Sequence, residues 1–230
     1  MNTILQQLHL VHDRITAAAI SCDRHPDAVQ LLAVSKTKPA ADVLSAYQAG
    51  QRQFGENYVQ EALDKIAALT TDCPNICWHL IGPLQSNKTR QVAETFDWVQ
   101  SVDRLKIAER LSAQRPSNLE PLNICLQVNI SQEANKSGLS PSEAETLAQK
   151  IAALPGLCLR GLMAIPEATD NSERLKTQLL ELRQLFDRMT EKHPTMDTLS
   201  MGMSNDLELA VACGSTLVRV GTAIFGSRNV

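Results

Sequence analysis

The stretch Leu31-Leu32-Ala33-Val34-Ser35-Lys36 decides how this sequence folds. It is apolar on both faces of an extended chain as far as Val34, and a helical pattern follows over Ala40–Ala49. A strand that lacks a polar face must be buried on both sides, as in parallel sheets covered by helices. The apolar strand and the helical pattern after it therefore predict the first β-α unit of an α/β fold.

The same alternation continues along the chain. Further short apolar runs lie at Gln53–Phe54, Cys77–Ile81, Trp98–Val102, Leu122–Ile130, Leu157–Ile165, Thr198–Met201 and Leu217–Val220. Helical periodicity lies between them at Tyr58–Leu69, Arg104–Ala113, Ser142–Ala153 and Ser172–Lys192. Eight strands, most of them followed by a helix, predict a closed (β/α)8 TIM barrel with an extra N-terminal helix.

An open doubly wound sheet is the competing α/β architecture. The first strand is not followed by the Gly-x-Gly-x-x-Gly pattern that would support dinucleotide binding in such a sheet. No long linker, internal repeat or low-complexity tract divides the sequence, so we expect residues 1–230 to form one domain.

Composition narrows the function classes. Hydrophobic residues make up 43% and aromatic residues 3%, so the core must consist of Leu, Ile, Val and Ala. The 22 basic and 25 acidic residues leave a net charge of −3, so we expect no nucleic-acid partner. Residues 1–15 form an amphipathic pattern rather than a signal peptide, and no apolar run is long enough to span a bilayer. We therefore expect a cytoplasmic protein without a membrane partner.

Six cysteines occur, and none belongs to a Cys-x-x-Cys pair. Cys73 and Cys77 alone are a weak zinc signal. We expect small core residues in a reducing compartment and no metal site.

Lys36 is the first candidate for chemistry. Side chains alternate along a strand, so Leu32, Val34 and Lys36 share a face. If this face looks into the barrel, Lys36 projects at the mouth formed by the C-terminal strand ends, where barrel active sites lie. Loss of hydration there favours a neutral amine, which can form a Schiff base with an aldehyde. The alternative is a strand-terminal lysine that reaches solvent.

Two C-terminal segments predict an anion site. Met201–Asp206 follows the seventh strand, with Ser204 as the expected N-cap of a helix over Leu207–Cys213. The eighth strand ends in Val218–Thr222, where Gly221 and Thr222 allow close backbone approach to an anion. Barrel phosphate sites are often built from these two loops. A capped helix and a strand-ending glycine without a ligand are the alternative.

Three more polar residues lie in or beside apolar strands. Arg219 is expected to pair with a carboxylate, a phosphate or a ring nitrogen, because charged side chains are rarely buried alone. Asn57 follows the second strand and is expected either to cap the next helix or to contact a ligand. His79 is expected to be a satisfied core residue rather than a base.

Together these segments resemble the pyridoxal-phosphate homeostasis proteins (the YggS/PROSC group), which are similar to the barrel domain of fold-type III enzymes such as alanine racemase. The matching motifs are Ala33–Thr37, Phe54–Tyr58, His79–Gln85, Val128–Ile130, Lys136–Gly138, Gly161–Met163, Ser200–Asp206 and Val218–Gly226. They follow one another in order from Ala33 to Gly226, so the resemblance covers most of the chain.

The resemblance implies that the cofactor is pyridoxal 5′-phosphate (PLP), held as a Schiff base on Lys36. It places Ser204, Gly221 and Thr222 at the phosphate, Asn57 near the cofactor and Arg219 at the pyridine ring. An arginine at the ring nitrogen would leave that nitrogen unprotonated and weaken PLP as an electron sink.

The resemblance implies a non-catalytic carrier or buffer that holds PLP as an internal aldimine, delivers it to apo-enzymes and influences amino-acid and keto-acid pools. The alternative is a PLP-dependent amino-acid racemase, which needs a base on each face of the substrate. Tyr47 and Tyr58 are the available tyrosines. Because racemases of this type dimerise partly through a second domain that this chain lacks, we expect a monomer.

Overall fold

A computed structural model of the protein describes residues 3–131, 133 and 136–227. Eight strands close into a barrel in sequence order, and every neighbouring pair is parallel. The strands are β1 (Gln30–Val34), β2 (Gln53–Glu56), β3 (Cys77–Leu80), β4 (Trp98–Val102), β5 (Leu122–Val128), β6 (Leu157–Ala164), β7 (Thr198–Ser200) and β8 (Leu217–Val220). The predicted TIM barrel is confirmed, and the open sheet is excluded.

Helices alternate with the strands around the barrel. They are α1 (Ile4–Ser21), α2 (Ala40–Gln48), α3 (Val59–Leu69), α4 (Thr89–Thr95), α5 (Leu105–Gln114), α6 (Pro141–Ile151), α7 (Ser172–Thr190), α8 (Leu207–Ala212) and α9 (Thr222–Phe225). The sequence did not predict α4 and α9, because a helix of one or two turns shows too little periodicity.

The core lies between the outer face of the barrel and the helix ring. Phe54 of β2 and Trp78 of β3 pack there as a tilted pair with ring centroids 5.9 Å apart. Val92 and Ala93 of α4 are fully buried, so this short helix covers the sheet even though its pattern is weak. Apolar strands and helices with one apolar face together produce this two-layer packing.

The extra helix α1 packs against α8 and α9. Its buried stripe contains Leu8, Val11 and Ile15 at helical spacing. Thr3 begins the helix with a capping box, in which its hydroxyl accepts from the Gln6 amide and the Gln6 side chain accepts from the Thr3 amide. The helix therefore covers the last part of the barrel wall.

The turn after β1 contains the main backbone irregularity near the site. The amide of Lys38 donates to the carbonyl of Ser35 at 3.0 Å, which makes Lys36 and Thr37 the central residues. Thr37 has φ +62°, a left-handed conformation that costs a β-branched residue about 1–3 kcal/mol. Such a residue persists only where its surroundings hold it.

Disulfide bonds, metal-binding clusters and membrane-spanning helices were searched for among the described residues. All six cysteines lie in this part of the chain and are free thiols. Its His, Cys, Asp and Glu residues include no cluster that could hold a metal ion. Among its helices, none is both long and apolar enough to cross a bilayer.

Candidate functional site

A cavity of about 640 Å³ opens at the end of the barrel where the strands finish. All six residues predicted to hold a cofactor line it: Lys36, Asn57, Ser204, Arg219, Gly221 and Thr222. Small-molecule sites commonly measure about 300–1,000 Å³ and lie at this end of TIM barrels. The structure therefore brings together residues separated by as many as 186 positions, the difference between 222 and 36. Their role in cofactor binding remains a prediction.

One wall of the cavity comes from the first two β-α turns. Val34 and Lys36 both line it, as the alternation along β1 predicts. Asn57 lines it from the turn after β2. The alternative that Asn57 caps the next helix is wrong, because α3 begins at Val59 with Tyr58 as N-cap and has no side-chain cap.

The opposite wall comes from the turns after β7 and β8, which contribute Ser204, Gly221 and Thr222. Ser204 was expected to cap α8, and this is wrong. The helix begins at Leu207 with Asp206 as N-cap, and the Asp206 carboxylate accepts a hydrogen bond from the Met203 amide at 2.7 Å. The Asp206 side chain therefore bonds back to the turn and does not cap the helix.

Gly221 fits closely against the end of β1. A Cβ at this position would lie 3.0 Å from the carbonyl oxygen of Val34. Thr222 follows at the start of α9 with an exposed side chain. Within the described chain, the side chains of Asn57, Ser204 and Thr222 make no hydrogen bond, so their polar groups remain available to a ligand.

Arg219 projects from β8 into the floor of the cavity and is 4% exposed. Its guanidinium donates to the Ser200 carbonyl and hydroxyl and to the Ala164 carbonyl, each at 2.8 Å. Burial lowers the pKa of Arg219 to about 10, which leaves it cationic at neutral pH. Among the described residues no carboxylate forms an ion pair with Arg219, so the carboxylate alternative is not realised as a direct contact. Asp206, on the lining of the same cavity, still acts on the guanidinium electrostatically and raises its pKa.

A chain of hydrogen bonds continues from Arg219 through the barrel interior. Ser200 donates to the side-chain oxygen of Gln100 at 2.7 Å, which links β7 to β4 across the barrel. The Gln100 amide nitrogen lies 2.9 Å from Nδ1 of His79, and His79 Nε2 lies 3.4 Å from the sulfur of Cys77. We call Arg219, Ser200, Gln100, His79 and Cys77 the central polar chain.

His79 is the satisfied core residue that the sequence predicted. It is 1% exposed, stacks on Trp98 with centroids 5.1 Å apart, and burial lowers its pKa to about 3. It lies toward the end of the barrel where the strands begin, beside a second cavity of about 250 Å³. There the guanidinium of Arg160 forms an ion pair with Asp197 and lies 4.9 Å from the centre of the Trp98 ring.

Sequence reasoning missed Arg14, which α1 brings to the cavity wall. Its guanidinium donates to the Ser204 carbonyl at 3.1 Å and to both carboxylate oxygens of Glu208, at 2.7 and 3.0 Å. The hydrogen bond from Arg14 lowers the pKa of Glu208. No local pattern marks this arginine, because its partners lie about 190 residues away in the chain.

In chemical terms, the cavity combines an amine, hydroxyl and amide groups, and two guanidinium groups. A cationic and polar wall suits a phosphate, and a lysine amine suits an aldehyde. Asp206 is the one carboxylate on the described lining of the cavity. The arrangement therefore fits a small anionic aldehyde, which the sequence resemblance also implies.

Comparison with known proteins finds relatives named for pyridoxal phosphate, in agreement with the chemistry of the cavity. The alanine racemase N-terminal domain family matches residues 16–229. A protein named pyridoxal phosphate homeostasis protein from Pseudomonas aeruginosa is 56% identical over 229 residues, covering 100% of this chain and 97% of the relative. One with the same name from Haemophilus influenzae is 54% identical, covering 98% of this chain and 96% of the relative.

Solved structures agree with the sequence relatives. The structure of PipY from Synechococcus elongatus with PLP bound is 40% identical, with a TM-score of 0.80 over 92% of this chain and 100% of that one. An alanine racemase from Clostridium difficile is 11% identical with a TM-score of 0.74, covers 97% of this chain and 57% of that one, and supports the fold alone. By these similarities, which extend over nearly its whole length, this chain belongs to the pyridoxal phosphate homeostasis proteins within the alanine racemase N-terminal domain family.

Proposed function

We propose that this protein binds PLP through Lys36 and carries or buffers it, and so maintains intracellular vitamin B6 and the amino-acid and keto-acid pools. The observation that carries the proposal is the convergence of all six predicted cofactor residues on one cavity of about 640 Å³. PipY, a relative of similar fold, has been solved with PLP bound.

Each wall of the cavity has a separate role in this proposal. Lys36 provides the amine, and Ser204, Gly221 and Thr222 hold the phosphate through hydroxyl and backbone N–H groups. Asn57 contacts the cofactor from the wall on which Lys36 lies, and Arg219 donates to the pyridine nitrogen from the floor of the cavity. When bound, PLP supplies an aldehyde, whose carbon forms a C=N bond to the lysine amine with loss of water.

The charge of Arg219 favours a carrier over an enzyme. A guanidinium that stays protonated holds the ring nitrogen as an acceptor, so the ring withdraws fewer electrons from a bound amino acid. The described lining contains Lys36 and Asp206 as groups able to exchange a proton, and Asp206 already accepts from the Met203 amide. This combination supports a protein that does not catalyse racemisation.

The tyrosines do not favour the racemase alternative. Tyr47 packs under Arg52, with the guanidinium carbon 4.0 Å from the ring centre. Tyr58 is 56% exposed at the start of α3 and does not line the described cavity. With Lys36 as the first base, neither tyrosine of this chain is placed to act as the second base of a two-base mechanism.

We further propose that residues 1–230 act as one PLP-binding unit, a monomer in the cytoplasm that passes PLP to apo-enzymes. The net charge of −3 supports a protein without nucleic-acid partners. Sedimentation of the PLP-loaded protein tests the monomer.

The first experiment is the visible absorption spectrum of the purified protein with PLP, before and after borohydride reduction. We expect a band that borohydride abolishes, with the reduced cofactor found on the Lys36 peptide by mass spectrometry. Lys36→Ala should abolish this band. Lys38→Ala should keep it, because the Lys38 amine instead donates to the Ser227 carbonyl.

The same sample tests the alternative function. Incubation with L-alanine should leave its chirality unchanged, whereas formation of D-alanine would establish the racemase. Absence of any band in the wild-type protein would contradict PLP binding altogether.

A further inference from the structure

The turn that carries Lys36 is held from the side by a partly buried ionic cluster. Lys65 of α3 is 6% exposed and donates to Glu56 at 2.7 Å and to Glu61 at 2.6 Å. Glu56, at the end of β2, is 0% exposed. We call Lys65, Glu56 and Glu61 the turn clamp.

The turn clamp contacts both residues adjacent to Lys36. On the N-terminal side, the Ser35 carbonyl accepts from Lys65 at 2.7 Å and the Ser35 hydroxyl donates to Glu56 at 2.7 Å. On the C-terminal side, the Thr37 amide donates to Glu61 at 2.6 Å. The same lysine therefore joins the groups that fix the chain before and after Lys36.

The bonding capacity of Lys65 is fully used. An ammonium group has three N–H donors, and here they go to Ser35, Glu56 and Glu61. Glu56 is less satisfied, because its second carboxylate oxygen is buried and has no partner within the described part of the chain. Glu61 is 28% exposed, but burying the Glu56 carboxylate and the Lys65 ammonium is costly for stability alone, so the cluster is better explained by what it holds.

What it holds is a strained conformation. Thr37 has φ +62°, which a residue with a β-branched side chain avoids unless its neighbours impose it. Without the Glu61 acceptor, the Thr37 peptide would relax toward negative φ. This rotation would redirect the preceding residue, Lys36.

We infer that Lys65, Glu56 and Glu61 are positioning residues that hold the strained turn and so keep the Lys36 amine directed into the cavity. The inference rests on the proposed function, because it names the residues that prepare Lys36 for PLP. None of the three lines the described cavity, so they act through the turn rather than by contact with the cofactor.

The first test needs no cofactor. Hydrogen exchange of the Thr37 amide, measured by NMR on the PLP-free protein, should be slow in the wild type and at least about tenfold faster in Glu61→Ala, because a charged acceptor is lost. Glu61→Gln keeps an acceptor oxygen and should remain near the wild-type rate. Equal exchange in wild type and Glu61→Ala would overturn the inference.

The second test measures the rate of PLP attachment by stopped-flow absorbance. Glu61→Ala should attach PLP roughly tenfold more slowly, the population ratio expected when a residue with a Cβ must reach the left-handed region unaided. Thr37→Gly in the same background should restore most of the rate, because glycine adopts this φ without penalty. A double variant as slow as Glu61→Ala would refute the role of strain.

Two further variants complete the design. Lys65→Met removes all three donors and should slow attachment more than Glu61→Ala; if it does not fold, the Glu61 and Thr37 variants still decide the question. Arg160→Met is the matched control, since it removes an ion pair at the other end of the barrel and should leave both rates unchanged. If wild-type protein does not attach PLP, the proposed function fails, whereas amide exchange still tests the turn clamp.

Discussion

The two ends of the barrel use the same residue type in opposite ways. Arg160 at the end where the strands begin bonds to Asp197 and to the Asn123 side chain, so its charge is neutralised within the chain. Arg219 at the other end bonds to Ser200 and Ala164 and forms no ion pair within the described chain, although Asp206 acts on it electrostatically. A buried cation without an ion-pair partner is costly unless its hydrogen bonds, including those to a ligand, offset the lost hydration. The contrast supports the proposal that one end of the barrel serves stability and the other binds the ligand.

The largest effect should come from filling space at the stable end. Gly161 of β6 faces Thr198 of β7 so closely that an added Cβ would overlap the Thr198 carbonyl. We expect Gly161→Ala to lower the free energy of unfolding by about 3 kcal/mol, because the neighbour is backbone and cannot move aside. Gly221→Ala at the ligand end should cost less than half as much. Urea unfolding measures both, and equal losses would contradict the contrast.

The next effect is a pH dependence at the stable end. The pKa of His79 falls from its ordinary 6.5 to about 3 on burial, so the unfolded state binds a proton between these values that the folded state does not. Stability is therefore lost as pH falls through 6.5, and His79 should account for about 2 kcal/mol between pH 7 and pH 5. His79→Gln should flatten the difference in urea unfolding between these pH values. An unchanged slope in the variant would assign the dependence to other groups.

Paired substitutions of the two arginines test the comparison directly. Arg219→Met should weaken PLP binding by about tenfold or more, since the proposed charged hydrogen bond to the ring would be lost. Arg160→Met should lower stability and leave PLP binding unchanged. Equilibrium titration with PLP and urea unfolding of the same samples separate the two quantities. Loss of PLP binding in both variants would mean that the ends are not independent.

The smallest effect should come from Arg14 on the first helix. Its side chain is 36% exposed and already shared with Glu208, so its contribution to a bound phosphate is screened. We expect Arg14→Gln to weaken binding of PLP by about threefold and of inorganic phosphate similarly. A change in PLP binding without a change in phosphate binding would place Arg14 away from the phosphate.

The sequence predicted the barrel well because its signal is local. Each buried strand is a short apolar run, and β4 and β8 have the predicted bounds. Closure of the parallel strands into a barrel brings their C-terminal ends together at one mouth. This is why Lys36 and Thr222 could be assigned to one site before the structure was known. The short helix α4 escaped prediction because burial against the sheet, rather than periodicity, stabilises it.

The interactions that tune the site were less predictable. Arg14 meets Glu208 only after the chain has closed the barrel, and no spacing rule links positions so far apart. Glu61 and Lys65 have the spacing of a helical ion pair, which ordinarily indicates a solvated surface. Only the structure shows that this pair turns inward and contacts the Lys36 turn.

The central polar chain has a direction. Arginine can only donate, so the Ser200 hydroxyl accepts from Arg219. The same hydroxyl donates to the Gln100 oxygen, and the Gln100 amide then donates to Nδ1 of His79. This leaves the proton of His79 on Nε2, facing Cys77. The tautomer at one end of the barrel is thus linked by hydrogen bonds to a guanidinium at the other, and the nitrogen NMR signals of His79 become a remote reporter of how Arg219 is engaged.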